Sequence, residues 1–134
     1  LGILTISTGR IVFSNGGHNS PYLLKRNGEV EALPKIPGLA LGVMGDYPYV
    51  CADIKLNEGD SLVVFTDGIP EAMNPAGDLM TEARLEEILR GSESKNAREQ
   101  VQYILDSTRQ FADGASQSDD ITIMVIKYLK ATAS

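Results

Sequence analysis

Leu62-Val63-Val64-Phe65-Thr66-Asp67-Gly68 decides how this chain is read, because an unbroken apolar run ends abruptly on a carboxylate and a glycine. Consecutive apolar residues bounded by turn residues read as a strand buried on both faces. Asp67 then stands at the mouth of that strand, and Gly68 is expected to let the chain turn sharply once the carboxylate is placed. A second stretch, Ser118-Asp119-Asp120-Ile121-Thr122, sets carboxylates at the start of a last strand expected over 121–128. Carboxylates held at strand ends are good ligands for hard cations, and two that converge could share Mg²⁺ or Mn²⁺. Metal-assisted phosphoryl chemistry is therefore the leading expectation.

Upstream of the central run, Asn57-Glu58-Gly59-Asp60 connects it to a strand expected over 49–54. Further back, short β-rich runs at 4–8 and 10–14 flank Gly9, and runs at 22–26 and 30–33 flank Asn27-Gly28. Asn-Gly is a strong hairpin signal because both residues tolerate positive φ. The first third thus reads as an antiparallel meander. Pro34, Pro37 and Pro48 with Gly38, Gly42 and Gly45 make 34–48 a surface loop.

Downstream, 79–89 carries Leu85, Ile88 and Leu89 at helical spacing, with Thr81 as N-cap and Gly91 as stop. Asn96 and Glu99 form a capping-box pattern, followed by a stripe of Val101, Ile104, Leu105, Thr108 and Phe111. The 114–118 loop delivers Asp119 to the last strand, and 130–134 reads as a frayed tail. Strands, two helices and one returning strand make an α+β fold, mostly antiparallel sheet with helices packed on the outside.

With 134 residues and 43% hydrophobic content, residues 1–134 suffice for one domain with a genuine core. A net charge of −6 leaves no basic stripe for a nucleic-acid backbone and suits a cation-binding protein. No apolar run approaches the ~20 residues of a membrane span, so a cytoplasmic location is expected. The lone Cys51, in Tyr49-Val50-Cys51-Ala52, reads as a buried, inert strand thiol. The chain opens at Leu1 inside an alternating pattern, which reads as part of something longer.

Each candidate has an ordinary alternative. Asp67 and Asp119 could simply start turns by accepting backbone N–H bonds. Adjacent strand side chains point to opposite faces, so only one of Asp119 and Asp120 is expected to aim at a given site. His18, the only histidine, is a general-acid candidate near neutral pH, but a loop-fixing role is favoured. Glu71 reads as a first-turn helix residue favoured by the dipole.

Four motifs, in order, carry a resemblance across nearly the whole chain: Gly17-His18-Asn19-Ser20-Pro21-Tyr22, Gly38-Leu39-Ala40-Leu41-Gly42, Asn57 through Ala72, and Ser118-Asp119-Asp120-Ile121-Thr122-Ile123. Together they resemble the bacterial protein phosphatase 2C-like family typified by the stage II sporulation protein E phosphatase and RsbU-type regulators of stress sigma factors. That resemblance implies part of an α-β-β-α sandwich with two Mn²⁺ or Mg²⁺ ions at one end. There a shared water would attack a phosphoserine or phosphothreonine. Asp67 and Asp119 become the metal ligands and catalytic carboxylates, with Gly68, Asp120 and His18 in supporting positions.

The same family carries an upstream Asp in an Asp-x-x-Gly-His-Gly-like segment, which Gly16-Gly17-His18 does not supply. The chain is accordingly expected to be a truncated catalytic domain that begins downstream of that segment. A sensor or receiver domain is expected to precede it in the parent protein, and an anti-sigma-factor antagonist to be the phosphoprotein substrate. An exposed sheet edge would favour a homodimer. The competing expectations are a phosphatase-like docking module with an incomplete metal complement, and a purely structural domain.

Overall fold

The structure, a computed structural model, describes residues 1–117 and 119–129. The expected tail at 130–134 and Ser118 of the acidic motif lie outside the described residues. Among the described residues, seven strands and two helices run in the order β1 (Gly2–Thr5), β2 (Arg10–Phe13), β3 (Tyr22–Leu24), β4 (Val30–Ala32), β5 (Ala52–Lys55), β6 (Ser61–Phe65), α1 (Thr81–Arg90), α2 (Ala97–Ala112) and β7 (Ile123–Lys127).

The strands divide into two antiparallel sheets, ordered β1-β2-β5 and β4-β3-β6-β7. The first third is therefore not a continuous meander. β2 pairs with β5 and β3 with β6, both across long connections, so the two hairpins land in different sheets. The reason is burial. Each hairpin presents one apolar face, and stacking the sheets covers Ile11 and Phe13 of one with Leu23 and Leu62 of the other.

β6 shows why its run had to be apolar on both sides. Leu62 and Val64 belong to the core between the sheets, whereas Val63 and Phe65 belong to a second core under the helices with Leu85, Leu89 and Ile104. Among the described residues the helices cover only that one sheet. The expected α+β class holds, with three layers, α-β-β, among the described residues.

Local details depart from the sequence reading in instructive places. β1 ends at Thr5, because the carbonyl of Thr5 accepts the amides of Thr8 and Gly9 at 3.1 and 2.9 Å and closes a turn there. β5 starts only at Ala52, and Cys51 before it is exposed rather than buried. Pro48 and the loop behind it delay entry into the sheet. At the β3–β4 turn only Gly28 has positive φ, 86°, while the Asn27 side chain accepts the amide of Glu29 at 3.1 Å.

α2 begins as expected, with Asn96 and Glu99 closing a capping box at 3.0 and 2.9 Å. α1 does not begin at Leu79, and Thr81 is not its cap. Met80 precedes the helix without a side-chain bond, and Thr81 has φ 68°, a costly conformation for a β-branched residue. Tertiary bonds impose it: Met80 N donates to Ala72 O and Thr81 N to Pro70 O, both at 2.8 Å. Glu71 consequently sits in the turn after β6, not in the first turn of a helix.

Asp60, which the sequence reading passed over as a loop residue, is 3% exposed. Its carboxylate accepts the amides of Arg26 at 3.0 Å and Asn57 at 2.8 Å, tying the β3–β4 hairpin to the entrance of β6. Such charge-assisted bonds stabilise by roughly 1.5–3 kcal/mol each and hold β6 in register.

Tyr22 is buried, stacks on Phe65 with centroids 5.6 Å apart, and donates from its hydroxyl to Glu86 Oε1 at 3.3 Å. Burial first, then the carboxylates of Glu82 and Glu86, push its phenol well above the ordinary range. Below about pH 10 the phenol is neutral in both folded and unfolded chains, so it confers no pH dependence there. Above that pH the unfolded chain ionises first, and stability falls as pH rises. Urea unfolding between pH 8 and pH 11 should therefore show a steeper alkaline loss in the wild type than in Tyr22→Phe; equal slopes would refute this account.

Candidate functional site

The β6–β7 ladder runs from Ser61↔Lys127 to Phe65↔Ile123 and does not stop there. Beyond its last pair, Thr66 N donates to Thr122 O at 3.1 Å. The Thr66 hydroxyl then accepts from Thr122 N and donates to Asp120 O, both at 2.9 Å. One side chain thus locks the Thr66-Asp67-Gly68 turn to the Asp119–Thr122 segment, residues more than fifty positions apart in the chain. Nothing in the sequence singled out Thr66 for this; a threonine between a buried strand and an Asp-Gly pair was the available signal.

Gly68 is required here for a reason other than the one expected. Its φ is not among the positive ones, so the turn itself would accept another residue. A Cβ at this position would instead meet Asp120 O at 2.5 Å, Asp120 C at 2.9 Å and Asp119 O at 3.1 Å. The glycine lets the backbone of the second acidic segment lie directly against the first.

The outcome is that three residues with exposed side chains, Asp67, Asp119 and Asp120, stand at the ends of two adjacent strands. Asp119 and Asp120 precede β7 rather than belonging to it, so the strand rule of opposite faces does not apply to them. Asp119 partly fulfils the turn-forming role, since its Oδ1 accepts Asp120 N at 2.7 Å. Its carbonyl accepts Gln117 Nε2 at 2.7 Å. The Asp67 carbonyl accepts Glu71 N at 3.0 Å, which braces the turn from the other side.

His18 lies on the loop that leads into β3. Asn15 pins its loop, with its Oδ1 accepting His18 N and its Nδ2 donating to His18 O, each at 2.7 Å. It lines a cleft between the two sheets with Leu4, Phe13 and Val64, whereas Gly68 and Ile121 line a separate cleft. The loop is fixed by the Asn15 side chain, while the His18 ring has one polar contact among the described residues, Nδ1 to Asn19 O at 3.3 Å.

A donor set of carboxylate oxygens suits Mg²⁺ or Mn²⁺, and Mg²⁺ in particular is commonly held by one or two carboxylates plus waters and substrate phosphate. Exposed carboxylates on rigid strand ends fit that requirement. Among the described residues no group of three or more His, Cys, Asp or Glu side chains is placed to hold a metal by itself.

The family model for Stage II sporulation protein E (SpoIIE) matches residues 1–129. The chain belongs to the SpoIIE family. Protein IcfG of Synechocystis sp. is 30% identical over 129 residues, 93% of this chain and 19% of that protein. Phosphoserine phosphatase RsbU of Bacillus subtilis is 26% identical over 118 residues, 88% of this chain and 35% of that protein. The chain thus spans about a fifth and a third of the curated relatives it matches.

The phosphatase domain of the cell fate determinant SpoIIE from Bacillus subtilis, presoaked with Mn, superposes with a TM-score of 0.75 at 16% identity. All of this chain and 57% of that one are covered. The fold is accordingly that of the protein phosphatase 2C-like domains of the SpoIIE and RsbU type. Among the described residues no helix is long and apolar enough to cross a membrane.

Proposed function

We propose that this chain supplies half of the catalytic centre of a metal-dependent protein serine/threonine phosphatase acting in bacterial signalling. The observation that carries the reading is the Thr66 lock, which brings Asp67 and Asp119 to neighbouring strand ends with their carboxylates exposed. Asp67 and Asp119 would hold Mn²⁺ or Mg²⁺, with Asp120 and Gly68 setting their spacing. When bound, the divalent ions supply charge neutralisation at the phosphoryl group and acidify a water.

The chain's own part is to orient. Thr66 and Gly68 fix the separation of the acidic segments, Gln117 and the Asp120 amide fix Asp119, and Glu71 N fixes Asp67 from behind. The substrate we assign is a phosphoserine or phosphothreonine on a regulatory protein, an anti-sigma-factor antagonist, in the cytoplasm. The relative RsbU, a phosphoserine phosphatase, supports the phosphoserine in that choice. Residues 1–134 would then form the downstream portion of a larger catalytic domain.

A second reading, a docking module that never binds a full metal complement, is favoured by the lack of a three-ligand group among the described residues. Hydrolysis of p-nitrophenyl phosphate by the natural full-length protein separates the two. Turnover that appears with Mn²⁺, disappears with EDTA and returns with fresh Mn²⁺ is expected; its absence at millimolar Mn²⁺ would leave the docking module standing.

A further inference from the structure

A cleft of ≈ 240 Å³ opens between the turn after β6 and the C-terminal end of α2. It is walled in part by the turns that carry the candidate ligands. Gly68 and Ile121, the chain neighbours of Asp67 and Asp120, both line it, as does Gln117, whose amide holds the Asp119 carbonyl. Its walls are otherwise largely apolar, with Ala72, Met73, Ala112 and Ala115. Asp113, at φ 44°, and Gly114, at φ 83°, turn the chain around its rim.

Among the described residues, Arg109 is the only charged one lining the cleft. Its Nη1 reaches Asp106 Oδ1 at only 3.7 Å, and its side chain is 72% exposed. A guanidinium carries five N–H donors, so one long contact leaves most of them for an incoming anion.

We propose that this cleft is a substrate-recognition subsite. It takes the apolar side chain of a residue beside the phosphoserine, while Arg109 draws in the anionic phosphorylated segment. The occupant's identity rests on the phosphatase reading above. Two features argue for it: the cleft is walled by Gly68, next to Asp67, and by Gln117, whose amide holds the Asp119 carbonyl, and the one cation among its described lining residues complements a phosphorylated segment. An apolar side chain buried there gains transfer free energy that a lysine at the same position forfeits.

Fluorescein-labelled peptides with a central phosphoserine followed by leucine or lysine, mixed with the full-length protein and Mn²⁺, test this by anisotropy. The leucine peptide is expected to bind about tenfold more tightly than the lysine peptide. Ala115→Trp, which fills the cleft from a half-exposed loop position, should erase that preference. Arg109→Glu, at an exposed position, should weaken both phosphopeptides by about tenfold. Equal binding of the two peptides to the wild type, or a leucine preference that survives Ala115→Trp, would overturn the subsite. Aryl phosphate turnover is read separately. Peptide discrimination without Mn²⁺-dependent turnover would sink the phosphatase reading alone, and turnover without discrimination would sink the subsite alone.

Discussion

Asp67→Asn should lower Mn²⁺-dependent phosphatase turnover by about a thousandfold or more while leaving the fold intact. The substitution preserves shape and the backbone bond from Glu71 N to the Asp67 carbonyl, at 3.0 Å, so the turn after β6 has no reason to move. What disappears is a full negative charge at an exposed strand end. Losing one anionic ligand of a divalent ion removes several kcal/mol of transition-state stabilisation, and each ~1.4 kcal/mol is tenfold in rate. Weaker Mn²⁺ affinity should accompany the loss, read by calorimetric titration of the same protein.

Asp120→Asn should cost much less, because Asp119 is the assigned ligand and Asp120 enters the site through its main chain. If Asp120→Asn proved as damaging as Asp67→Asn, with Asp119→Asn mild, the two adjacent carboxylates would exchange roles. Near-wild-type turnover in Asp67→Asn would remove this cluster from the chemistry altogether.

Gly68→Ala is the second large effect, and it acts through geometry. A methyl placed 2.5 Å from Asp120 O and 3.1 Å from Asp119 O meets backbone on a segment that Thr66 holds from the other side. There is no flexible side chain to swing away, so the two acidic segments must part. Overpacking of this kind costs about 1–3 kcal/mol in stability. A displacement near 1 Å between catalytic groups costs on the order of a hundredfold in rate. Urea unfolding and Mn²⁺-dependent turnover on the same protein should both fall, with turnover the more sensitive. A variant that keeps both would show that the segments are not in register as described.

Much of this site was legible from local pattern. The apolar run 62–65 marked a strand buried on both faces, and Asp67 and Asp119 marked the ends of what proved to be adjacent strands. The capping box at Asn96 and Glu99 is present in full. These features depend on residues a few positions apart, where periodicity and capping chemistry act directly.

Other features were not legible. Pro48 and its loop kept Tyr49, Val50 and Cys51 out of β5, although their composition favours a strand. Thr81 reads as a cap but sits at φ 68°, because Pro70 and Ala72 supply the carbonyls that start α1. Asp60 reads as a loop residue yet is buried under two main-chain amides. For Thr81 and Asp60 a contact from another part of the chain outweighed the local preference, whereas at 49–51 the preceding loop did.

The sequence by itself determined the class of the fold, the strand that forms its centre, and the two acidic segments that end beside one another. Only the tertiary structure decided that the early hairpins part into different sheets, that Gly68 is needed for a close backbone approach, and that Thr66 sets the spacing of the carboxylates. That His18 lines a cleft between the sheets, apart from the one lined by Gly68 and Ile121, was likewise a matter of tertiary structure. The reason is physical. Hydrophobic periodicity states which face of an element must be buried, but the choice of what covers it is made between residues fifty or more positions apart, where apolar faces and unpaired backbone groups must be satisfied together.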